Sequence, residues 1–339
     1  MKEATLYKKL DKWRVQCTAC NHYCCPPEWK TGKCWVRKNI DGKLQLLVHN
    51  LALWVGIDPV EKKPLYHFYP KSKVFSFGTA WCNMSCDFCQ NWAMSQISEN
   101  KWLLKLWREM TPEFIIDYCK NNEIKAIAYT YNEPTVFWEY AYDTMVLAKE
   151  AGLRNIFVSN GFFSKEMFEK MEWLVDAINV DLKSFNPKFY DEICGARVEP
   201  VLENIKKLAA SDIHLEITTL IIPWYNNSKE ELENIANFLS DIDKEIPWHV
   251  SAFSKAYKME YAPNTTIENI KEASEIWKKA GLKYVYAGNV VSLGLENTVC
   301  PECESILILR NGYNVDIIGL EWNKCSECWY KIKGSFDNL

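Results

Sequence analysis

Long apolar runs, an export signal, internal repeats, low-complexity segments and an excess of either charge are all missing from this chain. No stretch approaches the apolar length needed to span a bilayer. Residues Met1 to Trp13 are polar and charged and lack a signal-peptide core, so a soluble cytoplasmic protein is expected. The formal net charge is −4 over 339 residues. So small an imbalance provides no basic field for nucleic acid or anionic membrane, and neither partner is expected. The length suits one large or two small domains, enough to bury a full core.

Cysteine, by contrast, is plentiful at 14 residues. Disulfides would suit a small secreted chain, which this is not. Twelve of the fourteen fall in three groups, a distribution that suits metal sites. Cys119 and Cys194 stand apart and are expected to be buried or incidental thiols.

Residues 1–70 form an irregular Cys-rich segment, with a hairpin turn at Asp41-Gly42. Residues 71–292 alternate short apolar runs with helical stretches, the signature of parallel βα units. The expected strands are Val74–Gly78, Ala126–Thr130, Asn155–Ser159, Ala177–Leu182, Leu215–Ile222, His249–Phe253 and Tyr284–Gly288. Thr111-Pro112-Glu113 signals a helix start, Gly152 a helix end, and Ser228 to Glu231 a capping box. The fold class is therefore α/β, a partial or full (β/α) barrel with chemistry at the C-terminal ends of its strands. Residues 293–339 leave this pattern and become Cys-rich again.

Cys82, Cys86 and Cys89 follow the first of these strands with C-x3-C-x2-C spacing. Thiolates ligate iron–sulfur clusters, and three cysteines leave one iron of a four-iron cubane open. A structural zinc knuckle with a distant fourth ligand is the plainer alternative, though zinc knuckles favour C-x2-C pairs. The triad, with Phe88 before its last cysteine, resembles the signature of the radical S-adenosylmethionine (SAM) enzymes. That resemblance implies a [4Fe–4S] cluster whose open iron is chelated by SAM.

Other residues fall at the ends of the following strands. Asn132-Glu133-Pro134 follows the second strand, where a carboxylate can hold the SAM ammonium by a charge-assisted bond. Ser159-Asn160-Gly161 follows the third, its glycine permitting close backbone approach. Asp181 and Lys183 share one face at the end of the fourth, as a loop ion pair or as partners for a carboxylate and a ribose. One of Thr218 and Thr219 should point inward on the fifth. His249, opening the sixth, is a core or rim residue or else a substrate contact capable of acid–base work.

Cys17, Cys20, Cys24 (or Cys25) and Cys34 would close a zinc site or a second cluster, with His22 a possible substitute ligand. Zinc is the plainer reading; a cluster would relay electrons to the catalytic one. Cys300-x2-Cys303 and Cys325-x2-Cys328 form a zinc-ribbon pattern, with rubredoxin-like iron as the alternative.

The run Asp58 to Phe68, the triad with Gln90-Asn91-Trp92, Tyr131 to Thr135, Val158 to Gly161, Asp181 to Lys183, Pro247 to Phe253 and Gly288-Asn289 together resemble the AmmeMemoRadiSam-system radical SAM enzymes. These are relatives of the pyruvate formate-lyase activating enzyme. The resemblance implies that Cys82, Cys86 and Cys89 hold the catalytic cluster. Phe88 would meet adenine, Glu133 the SAM amino group, and Ser159, Asp181 and Lys183 ribose or carboxylate. Departures are Val158, where activating enzymes place a cation-binding Asp, Tyr131-Asn132 in place of two glycines, and Ala252, near where an Arg is expected. The implied activity is reductive cleavage of SAM to a 5′-deoxyadenosyl radical that abstracts hydrogen from a substrate. The expected partners are a flavodoxin- or ferredoxin-type electron donor and a protein substrate, a Memo-like protein or another. A small-molecule or RNA substrate is the second reading, and a non-enzymatic zinc or nucleic-acid-binding module the third. Oxygen-sensitive clusters imply a strongly reducing, anaerobic cell. Most of the 15 Trp are expected to pack, with a few walling off a radical at the barrel mouth.

Overall fold

A computed structural model describes residues 1–97, 105–290 and 294–337. Its centre is one eight-stranded sheet: β1 (Trp54–Pro59), β2 (Lys73–Gly78), β3 (Ala126–Tyr129), β4 (Arg154–Ser159), β5 (Ala177–Asp181), β6 (His214–Ile221), β7 (Trp248–Ala252) and β8 (Val285–Gly288). The spatial order runs from β8 to β1 in unbroken sequence. Strands β2 to β8 are parallel, and each end lies within one residue of its expected position. Their residues are buried on both faces, as parallel strands between helices require. β1 and β8 are the two edges, so the barrel is partial.

β1 corrects the expected boundary at residue 70. It pairs antiparallel with β2 across its whole length, so the sheet begins inside the segment read as irregular. The expected boundary at 292/293 lies outside the described residues.

The helices are α1 (Pro112–Asn121), α2 (Trp138–Glu150), α3 (Lys165–Met171), α4 (Glu199–Ala209), α5 (Lys229–Ile242) and α6 (Ile267–Ala280). Thr111 caps α1, its hydroxyl accepting from the Phe114 N–H at 3.2 Å. A 3-10 turn at Pro134–Phe137 leads into α2, and Gly152 (φ +74°) follows its end, where a side chain would strain the turn. The expected capping box at Ser228 is only half present. Ser228 accepts from the Glu231 N–H, but the Glu231 carboxylate accepts from Ser184 and the Phe185 N–H instead. The reciprocal box is at Thr266 and Asn269 on α6.

The N-terminal segment forms the expected hairpin, Arg37–Ile40 against Lys43–Leu46, turning through Asp41 (φ +51°) and Gly42 (φ +72°). Arg37 ties it to α2 through a buried ion pair with Glu139 at 2.6 Å. The tryptophans depart from expectation: Trp138, Trp248 and Trp277 fill the core, but Trp13, Trp29, Trp35, Trp173, Trp224, Trp322 and Trp329 are exposed. Trp102 lies outside the described residues. Among those residues no helix is long and apolar enough to cross a membrane.

The C-terminal segment is a three-stranded antiparallel sheet (Thr298–Val299, Ile306–Asn311, Asn314–Ile317) followed by a short hairpin. It packs against Tyr66 to Tyr69. The Arg310 guanidinium donates to the Tyr66 carbonyl at 2.9 Å and stacks 4.1 Å from the Tyr66 ring. His67 donates Nδ1–H to the Lys333 carbonyl at 2.8 Å, and its Nε2 accepts from the Tyr286 hydroxyl at 2.5 Å. Burial holds His67 down to about 4 against an ordinary 6.5. Its contribution to stability is fully present above pH 6.5 and is lost as the pH falls toward 4. The difference is on the order of 3 kcal/mol. Urea midpoints should therefore fall between pH 7 and 4.5, and His67→Asn should flatten that fall; an unchanged slope in the variant overturns the assignment.

Candidate active site

β2 ends at Gly78, where a Cβ would lie 2.3 Å from the Thr130 carbonyl oxygen, so only glycine lets the strand end so close to its neighbour. The chain then turns through Trp81 (φ +66°) into the cysteine loop. Two staples hold this loop. Asn132 donates to the Trp81 carbonyl at 2.6 Å and accepts from the Thr79 N–H at 3.0 Å. From the other side, the Ser85 and Asp87 N–H groups donate to the Cys194 and Ile193 carbonyls, both at 3.0 Å. Gly195 (φ +66°) presses on Ser85 so closely that a Cβ would lie 2.5 Å from its hydroxyl.

The loop brings Cys82, Cys86 and Cys89 to the wall of one open cavity of about 970 Å³. Phe88, Asn132, Glu133, Asn160, Asp181 and Lys183 line the same cavity, at the C-terminal ends of β2 to β5. Burial pushes the Cys89 thiol up to about 11 and Cys82 higher still. Buried thiols of this kind become thiolates when a cation replaces the proton. The three sulfurs do not converge to single-ion distance, whereas the C-terminal four do. This donor set fits a multi-iron core rather than a tetrahedral ion. The Ser95 hydroxyl lies 3.1 Å from the Cys89 sulfur, and the Lys183 ammonium sits 5.6 Å from the Phe88 ring centre and 3.1 Å from Asp181.

The Glu133 carboxylate is buried and accepts from the Thr135 and Asn160 N–H groups at 3.1 and 2.7 Å and from the Ser159 hydroxyl at 2.9 Å. Burial pushes its pKa up, with those hydrogen bonds opposing. Ser159 therefore orients Glu133; unlike Asn160, it does not line the cavity. Asn160 also donates to the Asn83 side-chain carbonyl at 2.8 Å, beside Cys82. Thr218 lines the cavity, while Thr219 turns outward to the Leu182 carbonyl.

His249 requires correction. It lies at the N-terminal end of β7, away from the cysteine loop, and is buried. Its Nε2 sits 2.6 Å from Glu216, and Tyr66 packs edge-on against its ring. Its register on the strand, one residue after Trp248, sends it to the barrel floor. Cys194 is buried, as a buried or incidental thiol was expected to be, and its backbone carbonyl holds the cysteine loop. Cys119, on α1, is buried as expected.

Sequence reasoning missed a second charged group in the cavity. Lys63 is buried and donates to Asp58 at 2.6 Å. The Tyr131 hydroxyl donates to the same carboxylate at 2.7 Å. Burial brings Lys63 down to about 8, with Asp58 opposing. The only signal was Lys62-Lys63 shortly after Asp58, and adjacent lysines are usually a solvated face.

The N-terminal cysteines Cys17, Cys20, Cys24 and Cys34 surround a separate small buried cavity, and Cys25 is exposed outside it. His22 lines that cavity and donates Nε2–H to the Asn83 carbonyl at 2.8 Å. At the C-terminus, Cys300, Cys303, Cys325 and Cys328 place all four sulfurs within 4.8 Å of one another, so this set could bind a metal ion. Single-ion spacing with four thiolates suits zinc. We expect about one zinc per chain at this site, lost in Cys325→Ala. Elemental analysis checks this; undiminished zinc in the variant overturns the assignment.

A model of the Radical SAM superfamily matches residues 77–239. The uncharacterized protein MJ0808 of Methanocaldococcus jannaschii is 42% identical, covering 98% of this chain and 99% of its own. The 4-hydroxyphenylacetate decarboxylase activating enzyme of Clostridioides difficile is 24% identical over 46% of this chain and 53% of its own length. Among solved structures, Streptococcus suis SuiB bound to precursor peptide SuiA has a TM-score of 0.51 at 13% identity. That match covers 69% of this chain and 52% of SuiB, and it is a likeness of fold.

Proposed function

The chain belongs to the radical SAM superfamily, and on that premise we propose that it acts as an activating-enzyme-like catalyst on a protein partner. The observation that carries the reading is the convergence of Cys82, Cys86 and Cys89 with Glu133, Asn160, Asp181 and Lys183 on one cavity. A [4Fe–4S] cluster on the three cysteines would supply one electron for cleaving SAM to methionine and a 5′-deoxyadenosyl radical, which takes hydrogen from the partner.

The remaining work belongs to the chain's own side chains. The Glu133 carboxylate, aimed by Ser159 and two backbone N–H groups, accepts the SAM ammonium. Lys183 offers a cation to the SAM carboxylate, and Asp181 holds that ammonium in place while offering an acceptor to ribose. Phe88 presents its backbone to adenine. Lys63 and Tyr131, both bonded to Asp58, add a polar surface of the same cavity for the substrate. The cavity's breadth and its opening to solvent favour a macromolecular substrate over a small molecule held in a closed pocket.

The run Asp58 to Phe68 and the terminal cysteine groups support a place among the AmmeMemoRadiSam-system enzymes, with a Memo-like protein as partner and a flavodoxin or ferredoxin as electron donor. A reducing cytoplasm suits such a centre. The test is anaerobic reconstitution with iron, sulfide, SAM and dithionite. Deoxyadenosine and methionine should appear in equal amounts. No release from a fully loaded, reduced sample overturns the reading.

A further inference from the structure

We propose that Cys17, Cys20, Cys24 and Cys34 hold a second [4Fe–4S] cluster, set against the back of the catalytic cysteine loop. All four line one small buried cavity, brought together from a strand end, two turns and the approach to the hairpin. None is tied up in a disulfide. Four cysteine sulfurs facing one dry space can all ionise only when a cationic core sits between them.

Spacing separates the two candidate occupants. A tetrahedral zinc with sulfurs at about 2.3 Å draws its ligands into mutual contact. The C-terminal four are so arranged, with Cys300 and Cys328 sulfurs 3.5 Å apart and those of Cys303 and Cys325 3.6 Å apart. Among the described residues theirs is the set that converges to single-ion distance. The N-terminal four surround a cavity without converging to that degree, as the catalytic triad also does. A larger inorganic core suits that wider ring of thiolates.

The surroundings carry the donors and charge such a core needs. The Lys33 N–H donates to the Cys24 sulfur at 3.5 Å. Gly32 permits that approach, because a Cβ there would already crowd Cys24 at 3.2 Å. The buried Arg37 guanidinium lines the same cavity. Most telling is Asn83, which lines this cavity and whose buried side-chain amide Nδ2 has no hydrogen-bond partner. A buried, unpaired N–H costs stability unless something accepts from it. A cluster sulfide or cysteine sulfur is the acceptor this cavity offers. Asn83 directly follows Cys82 and its carbonyl binds His22, so one residue joins the two thiolate groups.

The proposal uses the catalytic reading only to say which cysteines hold the first cluster. The test is a full-length chain carrying Cys82→Ala, Cys86→Ala and Cys89→Ala, reconstituted anaerobically with iron and sulfide. It should keep about four iron and four sulfide per chain, with the EPR signal of a reduced [4Fe–4S]⁺ centre. Adding Cys20→Ala and Cys24→Ala should remove both, while Cys25→Ala instead should not. Absence of sulfide-bearing iron in the triad-less chain overturns the proposal. So does a second equivalent of zinc, beyond the one at the C-terminal cysteines. Because that outcome is read without altering any N-terminal residue, misfolding of the Cys20→Ala, Cys24→Ala chain cannot mask it. Deoxyadenosine release by the wild-type chain is scored separately, so either reading can fail alone.

Discussion

Cys86→Ala should give a folded protein that builds no catalytic cluster and releases no deoxyadenosine. The cysteine is buried in a loop held by staples that do not involve its side chain, from Asn132 on one side and the Cys194 and Ile193 carbonyls on the other. Losing the sulfur therefore spares the loop but leaves two thiolates where the core needs three. Iron at this site should fall from about four per chain to below about one. The control is its neighbour. Cys194 is buried and its carbonyl holds the cysteine loop, but its side chain does not line the cavity wall. Cys194→Ala should keep the cluster and the cleavage. Equal losses in both variants would mean that the sulfur assignment is wrong. The readouts are iron and sulfide content, visible absorption, and chromatography of the nucleoside product.

Glu216→Ala should cost on the order of 4 kcal/mol or more, a large part of what a domain has to spare. Glu216 is fully buried near the N-terminal end of β6. Its oxygens accept from the Tyr66 and His67 N–H groups at 2.9 and 2.7 Å, and they face His214 and His249 at 2.9 and 2.6 Å. Burial alone would push this carboxyl up. The hydrogen bonds and charges of His214 and His249 outweigh it and hold the pKa well below the usual range. Alanine would orphan two backbone donors that water cannot reach, each worth about 1–3 kcal/mol, besides the histidines. Glu216→Gln keeps the shape and part of the acceptor capacity, so its loss should be smaller. Because the folded pKa is depressed, the ionised form stabilises the protein above about pH 4.5, and that benefit fades as the pH drops further. Urea midpoints of the three chains at pH 7 decide the matter. A shift below about 1 kcal/mol for Glu216→Ala would remove the hub from the account.

The seven parallel strands were legible because their runs are apolar on both faces and bounded by clear caps and turns. β1 was not, because Trp54-Val-Gly-Ile-Asp-Pro mixes a glycine, an acid and a proline, and its place is set by pairing with β2. The cysteine triad and the post-strand residues Glu133, Asn160, Asp181 and Lys183 line one cavity, in keeping with their places just after strands in the sequence. Ser159 and the substrate-contact reading of His249 show that adjacency to a strand end does not say which way a side chain points. Ser159 turns to Glu133, and His249 sits at the wrong end of its strand. Lys63 was hidden because it reaches the cavity only through tertiary packing.

The bridge between Phe68 and Ser335 has a consequence for biosynthesis. The ribosome delivers residue 335 only after all eight strands of the sheet, long after residue 68. Until then Tyr66 and His67 lack Arg310 and the Lys333 carbonyl, and the underside of the half-finished sheet faces water. Each nascent chain thus passes through a long interval in which its sheet is assembled but unsealed, a state prone to sticking to its neighbours.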